Sequence, residues 1–122
     1  MTGVIFDLPA MVKAAETYIK EYGVEDRIEV MAGDYNHDSI GREYDLVLAS
    51  TCLYFGKDNM DSLMKKIYET LNPGGVFISY HEGVTDERSK PDTHVLCTIS
   101  MALMGQDMCF DLGFLRVLIQ DI

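Results

Sequence analysis

Between Asp45 and His81 the sequence reads DLVLAS, TCLYFGKDN, MDSLMKKIYETLNPGG and VFISYH in succession. Leu46, Val47 and Leu48 form a short continuous apolar run and Val76, Phe77, Ile78 and Tyr80 form another, the pattern of parallel strands covered on both faces. Between them Met60, Leu63, Met64, Ile67, Tyr68 and Leu71 recur at spacings of three and four and define one apolar helical face. A strand, a crossover helix and a strand make a parallel unit that must find neighbours on either side. The rest of the chain is expected to supply them.

The preceding segment repeats the pattern. Gly3 to Phe6 predicts a short buried strand ending at Asp7, and Pro9 suits a helix start. Met11, Val12, Ala15, Ile19 and Tyr22 give a mostly apolar stripe on a helix that stops by Gly23. Arg27 to Met31 predicts the next strand, ending at Ala32-Gly33-Asp34, and Tyr35 to Tyr44 is a polar connection. In the central unit Asp58 is expected to cap the helix that begins near Asn59, with Asp61 in its first turn. Asn72-Pro73-Gly74-Gly75 is expected to end that helix and turn the chain. Glu82 to Asp92 reads as a charged surface loop, and Thr93 to Met104 as a helix whose Val95, Leu96, Ile99 and Leu103 give a broad apolar surface. The tail from Phe110 to Ile119 is apolar enough for a strand or a short helix, and both remain open.

A chain of 122 residues suits one domain or one incomplete domain. Residues 1–122 are accordingly read as a single partial domain, with 93–122 as a C-terminal helix followed by a strand or helix. Twenty acidic residues against ten Lys and Arg, a formal charge of -10, argue against a surface that tracks nucleic-acid phosphates. No run of about 18 apolar residues is present to span a membrane. The opening MTGVIFDLP has no basic leader and breaks its apolar run at Asp7, so cytoplasmic residence is expected. Cys52, Cys97 and Cys109 are widely separated in apolar surroundings, which predicts buried reduced thiols rather than a disulfide or zinc site. His37 and His94 are expected at the surface, and no metal is predicted. The eight methionines suit either core filling or a surface facing a partner.

Ligands of open parallel sheets bind beyond the carboxyl ends of the strands. Asp7, Asp34 and the loop from Ser50 to Phe55 occupy such positions. Asp7 is a candidate acceptor for paired ribose hydroxyls or, alternatively, a helix cap or turn former. Asp34 can accept from an exocyclic amine while Tyr35 offers an aromatic surface to a base. His81 follows a strand at the same edge and is a candidate acid or base; Glu82 can orient a substrate or face water. Tyr54 and Phe55 can wall a site or pack their loop over the sheet. Cys52 has no assignable base, and no phosphate-binding P-loop, nucleophile elbow or zinc-protease motif is present.

Taken together, VIFDLPAMVKAA, DRIEVMAGDY, YDLVLASTCLYFGKDN and LNPGGVFISYHE resemble the class I S-adenosylmethionine-dependent O-methyltransferases, specifically the small-molecule enzymes related to hydroxyindole and plant phenolic O-methyltransferases. The resemblance covers about residues 3 to 82, with an extension through the helix to Met104 left open, and its specificity lies in the order FDLP, AGDY, NPGG. It implies an α/β, Rossmann-like methyltransferase domain, truncated, with a mostly parallel sheet and flanking helices. It implies S-adenosylmethionine as cofactor, with Asp7 as ribose acceptor, Leu8 against the adenosine, Asp34 and Tyr35 at the adenine, and Ser50 and Thr51 near the methionine part. It further implies methyl transfer to a small-molecule hydroxyl and assembly as a homo-oligomer, a dimer in the family.

Two departures accompany it. Many relatives carry a His-Asp pair where this chain has Tyr54-Phe55, so His81 and Tyr54 are the catalytic candidates. The glycine-rich loop and the first, central strand of the family are not found in the sequence. A fragment, a naturally shortened homologue and a chain that borrows elements from a partner all remain open. So does a noncatalytic nucleoside-binding or protein-interaction domain. An oxidoreductase would need a dinucleotide glycine fingerprint that this sequence lacks.

Overall fold

The computed structural model describes residues 1–53, 59–81, 83–85, 87–106 and 110–111. The positions of Tyr54, Phe55, Asp58, Glu82 and Cys109, and the tail beyond Asp111, lie outside the described residues. The elements run β1 (Gly3–Asp7), α1 (Pro9–Glu21), β2 (Ile28–Ala32), β3 (Tyr44–Ser50), α2 (Met60–Thr70), β4 (Leu71–Tyr80), β5 (Gly83–Val84), α3 (Asp92–Leu103) and β6 (Phe110–Asp111). The chain divides into two compact units, Met1–Gly41 and Arg42–Ile122.

The first unit is a β–α–β crossover. β1 and β2 pair in parallel from Gly3 opposite Ile28 to Asp7 opposite Ala32. Pro9 stands in the first turn of α1, where a missing N–H costs nothing. At the other end Gly23 takes φ +61°, the Gly23 amide donates to the Lys20 carbonyl, and the Val24 amide donates to the Ile19 carbonyl. This paired closure is a Schellman motif, and it needs the left-handed residue that glycine supplies. The apolar stripe is narrower than expected. Val12 and Ile19 are buried, whereas Met11 and Tyr22 are exposed.

The second unit repeats the crossover with a difference. α2 buries Met60, Leu63, Met64 and Ile67 at i, i+3, i+4 and i+7, whereas Tyr68, expected on the same face, is exposed and Leu71 already belongs to β4. β3 and β4 pair in parallel, Leu46 opposite Val76 through Ser50 opposite Tyr80. The sequence predicted a turn at Asn72-Pro73-Gly74-Gly75, but Leu71 is already extended and paired with Tyr44. Two residues of β3 there stand opposite five of β4, so the Asn-Pro-Gly-Gly segment bulges from a strand that begins where the helix stops. The bulge is fastened across the strands: Asn72 Nδ2 donates to Asp45 Oδ1 at 2.8 Å and to the Glu43 carbonyl at 3.2 Å. At Gly75 a Cβ would stand 2.9 Å from the Asn72 carbonyl oxygen and 3.1 Å from that of Tyr44, which leaves room only for glycine.

Both faces of the strands were expected to be covered. The face of β3 that carries Val47 and Ala49 is the more buried, while Leu46, Leu48, Val76 and Ile78, which share the opposite face by register, are exposed. In α2 the cap position falls to Asn59, with no side-chain cap bond. The stretch expected to be a loop after His81 contains β5, whose Val84 is buried, paired in parallel with β6. α3 forms as predicted and closes on Gly105 (φ +74°) with the same motif as α1, yet it buries no residue. Its Cys97 is exposed and Cys52 half-buried, not buried as expected; His94 is half-buried rather than at the surface.

Candidate functional site

In the first unit the carboxyl ends of β1 and β2 lie side by side, about 4.8 Å apart as adjacent strands, and the Gly33 amide extends the pairing by donating to the Asp7 carbonyl at 3.0 Å. This brings Asp7 and Asp34 to one edge. Asp7 does not cap α1, whose cap position is Leu8 with no side-chain cap bond. Its Oδ1 accepts the Leu8 amide at 2.7 Å, a bond that orients the carboxylate of this exposed residue and leaves Oδ2 as a further acceptor. Leu8 is exposed beside it, with 53% of its surface accessible.

Asp34 is half-buried at the head of a tight turn. Its Oδ1 accepts the Asn36 amide at 2.9 Å, its carbonyl accepts the amides of His37 and Asp38 at 2.9 and 2.7 Å, and its own amide donates to Asp38 Oδ2 at 2.8 Å. Among the described residues, the remaining oxygen, Oδ2, has the exposed His37 Nε2 nearest as an ion-pair partner, at 3.9 Å. Gly33, buried before it, sits under the Phe6 ring: an added Cβ would come within 2.7 Å of that ring and 3.2 Å of Asp38 Oδ2. Tyr35 is half-buried in the same turn.

The second unit gathers the other candidates. Ser50 is paired with Tyr80 at the ends of β3 and β4, and the Thr51 amide donates to the Tyr80 carbonyl at 2.8 Å, one peptide before His81. Thr51 has φ +52°, a left-handed backbone that costs a β-branched residue about 1–2 kcal/mol. Strain held at the end of a strand marks a turn whose shape the surrounding structure imposes. His81 is half-buried, and its desolvation lowers its pKa below the ordinary histidine value, which keeps the ring neutral and able to accept a proton near pH 7. Tyr54, the other catalytic candidate, lies outside the described residues. The sequence did not single out Gly33 or Asp38; the available signal was the spacing of four between two aspartates in a polar stretch.

The lowered pKa of His81 has a thermodynamic consequence. The unfolded chain takes up the proton first, so stability present above about pH 6.5 is lost as pH falls through the depressed native pKa. His81→Gln should lose less stability than the parent between about pH 7 and 5 in urea titrations; identical pH dependences would show that the ring is not desolvated.

Two parallel β–α–β units, the first with acceptor carboxylates at its carboxyl ends, define a Rossmann-like α/β protein. A family model for the O-methyltransferase domain matches residues 1–109, and the chain belongs to that family. It is 26% identical over 102 residues to the tetracenomycin polyketide synthesis 8-O-methyl transferase of Streptomyces glaucescens, covering 84% of this chain and 30% of that protein. Among solved structures it superposes with a TM-score of 0.84 on an O-methyltransferase family 2 protein of Planctomyces limnophilus in complex with apigenin. The identity there is 25%, with 98% of this chain and 37% of that one covered. Human N-acetylserotonin methyltransferase in complex with S-adenosylmethionine gives a TM-score of 0.61 at 27% identity, over 80% of this chain and 28% of that one. The chain thus spans about three tenths of the length of the curated relative.

Proposed function

We propose that this chain is part of a methyltransferase that binds S-adenosylmethionine and directs its methyl group to a hydroxyl of a small molecule. The observation that carries the reading is the pair of acceptor carboxylates, Asp7 and Asp34, at the adjoining ends of two parallel strands, in a chain of O-methyltransferase family. The donor set fits a nucleoside. Asp7 offers Oδ2 to ribose hydroxyls with Leu8 exposed for apolar contact, and Asp34 offers Oδ2 to an amino group with Tyr35 beside it. In the second unit Ser50 and Thr51 are the residues assigned to the methionine part.

When bound, the cofactor supplies an electrophilic methyl group on a sulfonium centre. The protein's part is to hold the reactants and to remove the acceptor's proton. His81 is assigned that proton: its neutral ring accepts it at Nδ1 or Nε2, and burial favours the neutral form. Tyr54 is assigned a hydrogen-bonding role, since a phenol with an ordinary pKa near 10 is a poor base at neutral pH. Residues 1–122 are read as one partial domain, since the family match runs across both units. No helix among the described residues is long and apolar enough to cross a membrane, and cytoplasmic residence is proposed. Homo-oligomerisation is proposed from α3 and its cap residue, where Leu96, Ile99, Leu103 and Met104 are exposed; light scattering that finds only a monomer at micromolar concentration would reject it.

The test is incubation of the purified chain with methyl-labelled S-adenosylmethionine and a panel of phenols including apigenin, beside calorimetric titration with S-adenosylhomocysteine. Label transfer that His81→Gln lowers by about 100-fold would support the assignment, in the range expected for a general base. Binding without transfer would instead favour the noncatalytic nucleoside-binding reading, and no binding at millimolar ligand would reject both.

A further inference from the structure

Asp34 leaves little of its hydrogen-bonding capacity uncommitted. Its amide is held by the Asp38 carboxylate at 2.8 Å, its carbonyl takes the Asp38 amide at 2.7 Å, and its Oδ1 is tied to the Asn36 amide at 2.9 Å. Asp38 therefore grips the backbone of Asp34 on both sides of its α-carbon, while the turn fixes its side chain. Packing supplies a separate constraint. The Phe6 ring lies against the Gly33 backbone so closely that a Cβ there would reach it at 2.7 Å, and the Asp38 carboxylate closes the other side at 3.2 Å. The Phe6 ring and the Asp38 carboxylate thus flank Gly33 from two sides, so a side chain there would have to displace one of them. The remaining Oδ2 of Asp34 is thus aimed jointly by the Asn36 amide on Oδ1 and by the Asp38 contacts that fix the backbone beneath it.

We infer that Asp38 is a positioning residue that aims the Asp34 carboxylate and thereby sets selectivity for a 6-aminopurine over a 6-oxopurine. The inference rests on the nucleoside-cofactor reading above. An amino group donates to the fixed oxygen; a 6-oxo group presents a second acceptor to it, and the two repel. A carboxylate free to rotate away would tolerate either base, so discrimination depends on the fixing as much as on the charge. In Asp38→Asn the amide oxygen still accepts from the Asp34 N–H. In Asp38→Ala nothing does.

Calorimetric titration of the parent, Asp38→Asn and Asp38→Ala with S-adenosylhomocysteine and S-inosylhomocysteine tests this, with hydrogen exchange of the Asp34 amide measured in the ligand-free chains. The parent should prefer the adenine ligand by about tenfold or more, Asp38→Asn should keep that ratio within about twofold, and Asp38→Ala should reduce it to about two or less, with faster exchange at Asp34. A parental ratio in Asp38→Ala, an equal loss for both ligands, failure of the asparagine variant to restore the ratio, or unchanged exchange at Asp34 would each overturn the role of Asp38 while leaving the cofactor reading in place. If the parent binds neither ligand, the cofactor reading fails and the positioning role fails with it.

Discussion

Asp7→Ala is expected to weaken S-adenosylhomocysteine binding by about 30- to 100-fold in calorimetric titration, leaving the melting temperature nearly unchanged. The carboxylate is exposed at the end of β1, and its intramolecular hydrogen bond is the short one from the Leu8 amide to Oδ1. The folded chain loses little without it, within about 0.5 kcal/mol as for other surface substitutions. The ligand loses more. Two ribose hydroxyls donating to one carboxylate make charge-assisted bonds worth about 1.5–3 kcal/mol each. Discounting for solvent at an open edge leaves about 2–2.7 kcal/mol in all, which is the quoted range in affinity. Asp7→Asn keeps one good acceptor and should lie between, near a tenfold loss. An alanine variant that binds as tightly as the parent would remove Asp7 from the site and leave its carboxylate a local turn element.

The parts of this site that could be read from the sequence are those set by short-range pattern. The positions of Asp7 and Asp34 follow from where two apolar runs stop, and the closure of α1 follows from Gly23, because one glycine in the left-handed region completes the motif. What escaped depends on partners distant in sequence. The bulge at Asn72-Pro73-Gly74-Gly75 exists because Asn72 reaches Asp45 and because Tyr44 already pairs with Leu71; a local reading sees a helix stop and two turn formers. The burial of the strands was overestimated for the same reason. An apolar run shows that a face can be covered, whereas the exposure of Leu46, Leu48, Val76 and Ile78 shows that one face of this pair is not. α3 was read as a helix with a broad apolar surface, and the exposure of Leu96, Ile99 and Leu103 agrees with that reading. The Asp38 clamp escaped because an aspartate in a polar loop looks like any solvated residue until its carboxylate is seen on the Asp34 amide.

Ile67→Ala is expected to cost about 2–5 kcal/mol of unfolding free energy, the range for removing a large aliphatic side chain from a packed interior. Ile67 is 5% exposed, in line with Met60, Leu63 and Met64 on the buried face of α2. The loss is a large share of the roughly 5–15 kcal/mol that stabilises a small domain. Tyr68, next in sequence and 61% exposed, is the control: Tyr68→Ala should change stability by about 0.5 kcal/mol or less. Urea unfolding followed by circular dichroism reads both, and equal shifts for the two variants would mean that α2 does not dock through the face that carries Ile67. The consequence reaches the site because α2 is the crossover between β3 and β4, and the register of those strands places Ser50 beside Tyr80 and the Thr51 amide on the Tyr80 carbonyl. A variant that loosens the helix should therefore raise hydrogen exchange at the Thr51 amide before the chain unfolds globally, while the Asp34 amide, held within the first unit by Asp38, keeps its parental rate.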